Sequence, residues 1–91
     1  MDEQSLTADT IRKKLRAYII KLKGVSEDEL DDTVHLFQSG ILDSIDSFSI
    51  VAYLEQEFSI KFDEERLFDP RALYIQGIVE LIQEIRHGKK S

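Results

Sequence analysis

The chain contains no cysteine and no tryptophan, a single proline and four glycines. Without cysteine there is no disulfide framework, no thiolate nucleophile and no cysteine-ligated zinc. The two histidines, His35 and His87, are far apart in sequence with no metal-ligand spacing, and read as surface or loop residues. No apolar run approaches the roughly 20 residues that a membrane-crossing helix requires. The opening MDEQSLTADT lacks the basic stretch and apolar core of a secretion signal, so the expected setting is the cytoplasm, without membrane insertion. No alternating strand pattern is sustained and no segment repeats. Basic residues are the minority, 12 Lys and Arg against 18 Asp and Glu, for a net charge of −6. That balance repels nucleic acid and anionic membranes and attracts basic protein surfaces.

What is present fits one small domain. The length of 91 residues allows a single core, and the 42% hydrophobic content is that of an ordered globular chain. So small a domain has little room for a deep catalytic cleft, which favours a monomeric binding or carrier module. An ordered core over about residues 7–86 with mobile termini is expected. Ile11, Leu15, Ile19 and Leu22 recur at helical spacing, with Thr7 or Asp9 to cap the start and Gly24 to stop the helix. Residues 25–42 hold SEDELDD, which is turn-like, among scattered apolar residues. They predict a long loop pinned to the core, with one helical turn near 27–30. The acidic cluster lacks the alternating ligands, central glycine and final glutamate of a calcium loop.

A second helix is predicted over 43–58, with Phe48, Val51, Leu54 and Phe58 as its apolar rhythm and Ile50 and Tyr53 widening the face. Ile60 and Phe62 then anchor a linker, and a short helix is predicted over 63–68. The Asp-Pro pair at 69–70 marks the start of a last helix reaching Arg86. Gly77 lies inside that helix at a cost of about 1 kcal/mol relative to alanine, which suggests a close contact. The fold class is therefore all-α, a bundle of three main helices and one short one.

The stretch GILDSIDSFSIVAYLEQEF, from Gly40 to Phe58, raises the functional question. Asp43 is a good N-cap, and Asp46 is placed to reach back to it as in a capping box. With Asp43 capping, the Ser44 hydroxyl is free to point outward from the first turn. A phosphate ester there would meet unpaired N–H groups and the positive end of the helix dipole. Ser44 is not expected to be a hydrolytic nucleophile, because no base, orienting group or nucleophile elbow accompanies it.

GILDSIDSFSIVAYLEQEFSIKF resembles the serine-helix region of the acyl carrier protein superfamily, including peptidyl and D-alanyl carriers. The Asp-Ser-apolar start, the amphipathic helix ending in an acidic stretch and Phe, and the following apolar linker are all in register. The similarity in helix order extends over roughly residues 7–86. It implies that Ser44 carries 4′-phosphopantetheine, transferred from coenzyme A by a Mg²⁺-dependent phosphopantetheinyl transferase. It implies that Asp43 presents the serine and contacts the transferase's metal. Ile45 would pack against partner enzymes, while Asp46, Glu55 and Glu57 would offer charge to their basic surfaces. Those partners would be acyl, aryl or aminoacyl ligases, synthases or transferases, and the chain itself would not be an enzyme or hold a resident metal. Phe48, Val51, Leu54, Phe62 and Ile78 would be plain core or would line a pocket for the cargo. The lack of cysteine agrees, since the arm would bring the thiol.

At Ser47 and Ser49 this chain has serine where carriers of fatty-acid synthesis often have a further acid. FQSGILDS looks more like free-standing carriers served by dedicated ligases or specialised synthases. Acyl, aryl, aminoacyl and peptidyl cargoes all remain open, as does an unmodified acidic adaptor that uses the helix only for binding.

Overall fold

A computed structural model describes residues 7–87. The expected mobility of the termini concerns residues outside that range. All regular structure among the described residues is helical: α1 (Ala8–Lys23), a 3₁₀ turn (Glu27–Glu29), α2 (Ser44–Phe58), α3 (Glu64–Leu67), a second 3₁₀ turn (Pro70–Leu73) and α4 (Ile75–Arg86). None of these helices is long and apolar enough to cross a membrane.

α1 begins where the Thr7 hydroxyl accepts the N–H of Thr10 at 3.2 Å. It ends at Gly24, whose φ of 72° is left-handed and whose N–H reaches the Ile20 carbonyl at 2.7 Å. Ile11, Leu15 and Ile19 are fully buried and pack towards α4. Leu22, in the last turn, is 39% exposed and does not extend that buried stripe.

The long loop between α1 and α2 is pinned by apolar and polar contacts together. Leu30, Leu36 and Leu42 are buried in the core. The Arg16 guanidinium donates to the carbonyls of Leu30 and Glu27, and the Leu36 N–H donates to the Leu73 carbonyl at 2.9 Å. His35 is a loop residue that serves its own neighbours, with its Nδ1 accepting the N–H groups of Phe37 and Gln38 at 3.2 and 3.0 Å. The apolar pins supply the driving force and these polar ties satisfy backbone groups that burial would otherwise orphan.

In α2 the buried stripe is Ile50, Leu54 and Phe58, spaced by four. Phe48, placed on the core face by its spacing to Val51, is instead 75% exposed. The reason is helical phase: two residues before Ile50 correspond to about 200° of rotation, which turns Phe48 outward. Tyr53 is half-buried and stacks on Tyr18 with ring centroids 4.1 Å apart, tying α2 to α1. Ile60 is buried and Phe62 packs against the core, so the linker is anchored as its alternation suggested.

The helix expected to start at the Asp-Pro pair is two elements. Asp69 accepts the Arg71 N–H at 2.9 Å and opens only the second 3₁₀ turn. Tyr74 is extended, with φ −132° and ψ 149°, and α4 starts after it. The turn folds back onto the start of α4, and Gly77 makes that possible: a Cβ there would lie 1.9 Å from the Arg71 carbonyl oxygen. Arg71 fixes the arrangement by bonding Asp69 at 3.1 Å and Glu84 at 2.7 Å. Helix propensity alone would make Gly77→Ala stabilising by about 1 kcal/mol. The backbone contact predicts the opposite sign, a loss of about 1–3 kcal/mol. At roughly 4–8 °C per kcal/mol in a domain of this size, the thermal midpoint should fall by several degrees. A raised midpoint for Gly77→Ala would refute the close approach.

Candidate functional site

Asp43 is extended, with φ −117° and ψ −176°, and places Ser44 as the first residue of α2. Its Oδ1 accepts the Asp46 N–H at 2.9 Å, and Asp46 Oδ2 accepts the Asp43 N–H at 3.0 Å. The capping box is therefore closed in both directions, as the sequence predicts. Ser44 is exposed, and among the described residues nothing hydrogen-bonds its hydroxyl. Its carbonyl is engaged by the Ser47 hydroxyl at 2.6 Å, which stiffens the first turn. The N–H groups of Ser44 and Ile45 have no acceptor among the described residues. An accessible hydroxyl beside two open amides at the positive end of a helix fits a phosphodiester.

The acids of α2 have partners within the molecule. Asp46 is held by Lys23 from the end of α1, Nζ to Oδ2 at 2.7 Å, and its side chain is only 13% exposed. The Lys23 ammonium, with the Asp43 backbone N–H next in importance, holds the Asp46 carboxyl below the usual carboxylate range. Glu55 accepts the Phe62 N–H at 2.9 Å, closing the linker onto the helix. Glu57 pairs with Lys14 of α1 at 2.7 Å, and that bond raises the Lys14 ammonium above its ordinary value. Each of the three thus has an internal hydrogen-bond or ion-pair partner. The sequence pattern does not show Lys14 and Lys23 as counterions, because their partners are 43 and 23 residues away.

Ile45 is 73% exposed beside Ser44. Phe48, Val51, Leu54, Phe62 and Ile78 converge on one cavity of about 470 Å³. Leu54 and Ile78 are buried in its wall, and Phe48 stands exposed at its edge. Leu67 and Phe68, 40% and 83% exposed, also border it. The four-residue helix carries no periodic signal in the sequence that would place these two.

Residues 13–72 match the PP-binding family, described as "Phosphopantetheine attachment site". The chain is also similar to an acyl carrier protein homolog of Mycoplasma pneumoniae, 33% identical over 79 aligned residues, covering 79% of this chain and 88% of that one. A second relative, the acyl carrier protein homolog of Mycoplasma genitalium, is 39% identical over 46 residues, about half of each chain. An all-helical bundle with an exposed serine opening its second helix is the architecture of a carrier domain. The chain belongs to the acyl carrier protein superfamily, whose members bear covalent 4′-phosphopantetheine. Such proteins are carriers rather than enzymes; they serve phosphopantetheinyl transferases and acyl-handling enzymes.

The Lys23 contact predicts an acid-sensitive brace at the site. Because the Asp46 carboxyl is depressed in the folded state, the unfolded chain takes up more protons as pH falls. The brace is fully effective above the ordinary carboxylate value of about 3.9 and is lost as pH drops through the lower folded value. Asp69 and Glu84, both held low chiefly by hydrogen bonds from Arg71, add to the same acid loss. Urea titrations from neutral pH downward should show Asp46→Asn with a lower midpoint at pH 7 and a shallower decline in acid. An acid decline as steep as that of the unsubstituted chain would eliminate the brace.

Proposed function

We propose that Ser44 is the attachment point of 4′-phosphopantetheine and that the chain carries acyl intermediates between partner enzymes of fatty-acid or specialised biosynthesis. The observation that carries this is the division of labour at the start of α2: Asp43 caps the helix, leaving the exposed Ser44 hydroxyl unengaged. Asp43 uses Oδ1 in the cap, and its other oxygen, with no hydrogen-bond partner among the described residues, is the one we assign to the transferase's metal. When attached, the arm supplies the thiol that forms a thioester with the cargo and that the cysteine-free chain lacks.

The cavity favours an acyl cargo over an aminoacyl or peptidyl one. Its size lies within the usual range for ligand pockets. Phe48, Val51, Leu54, Phe62 and Ile78 present hydrocarbon to it, so a charged ammonium would enter at a desolvation cost that an alkyl chain avoids. The serines at 47 and 49 accord with a specialised rather than a general synthase, since Ser47 Oγ is bonded to the Ser44 carbonyl and adds no charge for docking.

Incubation with coenzyme A, Mg²⁺ and a broad-specificity phosphopantetheinyl transferase, followed by intact mass, tests the assignment. The unsubstituted chain should gain one phosphopantetheine and Ser44→Ala none. Gain by the alanine variant would move the attachment to another hydroxyl, and gain by neither would end the proposal.

A further inference from the structure

A second cavity, of about 460 Å³, shares no lining residue with the apolar one. It is a groove between the end of α1 and the long loop. Lys23, Glu29 and Ser39 supply its polar groups, and the half-buried Val25, Val34 and Ile41 supply hydrocarbon. Lys23 brings this groove to the start of α2. Its Nζ donates to Asp46 Oδ2 at 2.7 Å, and the same oxygen accepts the N–H of Asp43, the residue before Ser44, at 3.0 Å. Ile41 approaches along the chain, three residues before the serine. The hydrogen bond to Asp46 raises the Lys23 ammonium above its ordinary value, so it stays charged at neutral pH. Glu29 accepts the Ser26 N–H through Oε1 at 3.0 Å, and its other oxygen has no hydrogen-bond partner among the described residues.

We propose that this groove receives the 4′-phosphopantetheine arm while it bears no cargo, with Lys23 binding the phosphodiester. The inference rests on the assignment of Ser44 as the attachment residue. An ammonium has three N–H donors and Asp46 takes one, so Lys23 can donate to a phosphate oxygen without releasing the carboxylate. Hydrogen bonds between charged groups are the stronger kind. Beyond the phosphate the arm is amphipathic, with a geminal pair of methyls, a hydroxyl, two amides and a terminal thiol. The groove offers a counterpart to each kind of group: Val25, Val34 and Ile41 for the methyls, Ser39 and Glu29 for the hydroxyl and the amide N–H groups. The larger cavity does not. Its walls are mostly hydrocarbon, and its polar side chains, Ser47, Glu55 and Arg66, already bond within the protein. Two amides would lose water there without recovering their hydrogen bonds. The groove has the volume of an ordinary ligand pocket. A tethered arm meets it at an effective concentration on the order of millimolar, so weak complementarity is enough. The mixed groove thus suits the bare arm and the apolar cavity an alkyl cargo.

The test is solution NMR of the isotope-labelled chain before and after phosphopantetheinylation, on material whose intact mass shows the gain and whose Ser44→Ala counterpart shows none. Nuclear Overhauser contacts should join the arm's geminal methyls to the methyls of Val25, Val34 or Ile41. Lys23→Gln should lower the intensity of these contacts about two- to fivefold, the range of an exposed ion pair. Asp46→Asn, which removes the brace but keeps the ammonium, should retain them. Circular dichroism checks that each variant is folded, and the contacts in the unsubstituted chain decide the matter where one is not. Contacts from the arm to Phe48, Phe62 or Ile78 in place of the groove would overturn the inference, as would an arm that touches nothing. A loss in Asp46→Asn equal to that in Lys23→Gln would make Lys23 a brace alone and end its phosphate role. Failure of the Ser44 assignment has a different signature: no mass gain at Ser44, which removes the attachment and the groove's occupant together.

Discussion

The rotational phase of α2 is the constraint from which the rest of the site follows. Ile50, Leu54 and Phe58 are spaced by four and buried to within 4% of complete, so the helix can face the core in only one way. Once that stripe is inside, Ser44, Ile45, Phe48 and Ala52 are outside by geometry alone, because each lies well round the helix from it. Exposure of the serine needs no special loop. It results from a four-residue apolar spacing that begins six residues later, together with a cap that stops the helix from starting earlier.

The same phase decides what the acids do. Net charge suggests a carrier that advertises negative potential along α2, yet the total says little about where charge is available. Asp46 and Glu57 lie together on one side of the outward stripe, the side that faces the bases of α1, and pair at 2.7 Å with Lys23 and Lys14. Glu55 turns towards the linker and satisfies the Phe62 amide. These groups hold the serine helix against its neighbours. Surface pairs of this kind contribute little stability individually, but each joins residues distant in sequence and limits the tilt of α2. The helix that opens with Ser44 is thus held to α1 and to the linker by its acids, while Ile45, Phe48 and Ala52 stand exposed on its outward face.

Much of this was legible in the sequence, and the parts that were not have common causes. The Thr7 and Asp43 caps, the Gly24 stop, the pinned loop and the outward serine all depend on interactions within four residues of one another, or on apolar residues with nowhere else to go. Phe48 misled because its spacing to Val51 is as good as Ile50's to Leu54, and hydrophobic spacing alone cannot tell which of two overlapping stripes is buried. The Asp-Pro pair marks a start, but of a 3₁₀ turn that ends at extended Tyr74 and packs its Arg71 carbonyl against Gly77, a close approach that local periodicity does not encode. The internal pairing of Asp46 and Glu57 was invisible for the same reason: local periodicity holds no information about a lysine 23 or 43 residues away.

Gly77 and Ser44 are linked through that tertiary logic. The 3₁₀ turn that Gly77 admits carries Leu73, whose carbonyl receives the Leu36 N–H, and the Leu36 carbonyl in turn receives the Leu42 N–H at 2.9 Å. Leu42 is buried immediately before Asp43. A chain of backbone hydrogen bonds therefore runs from the 3₁₀ turn before α4 to the residue preceding the cap. The buried glycine and the exposed serine, 33 positions apart in sequence, thus belong to one connected framework: the turn that Gly77 admits holds the long loop, and the loop brings Leu42 into the core just before the Asp43 cap.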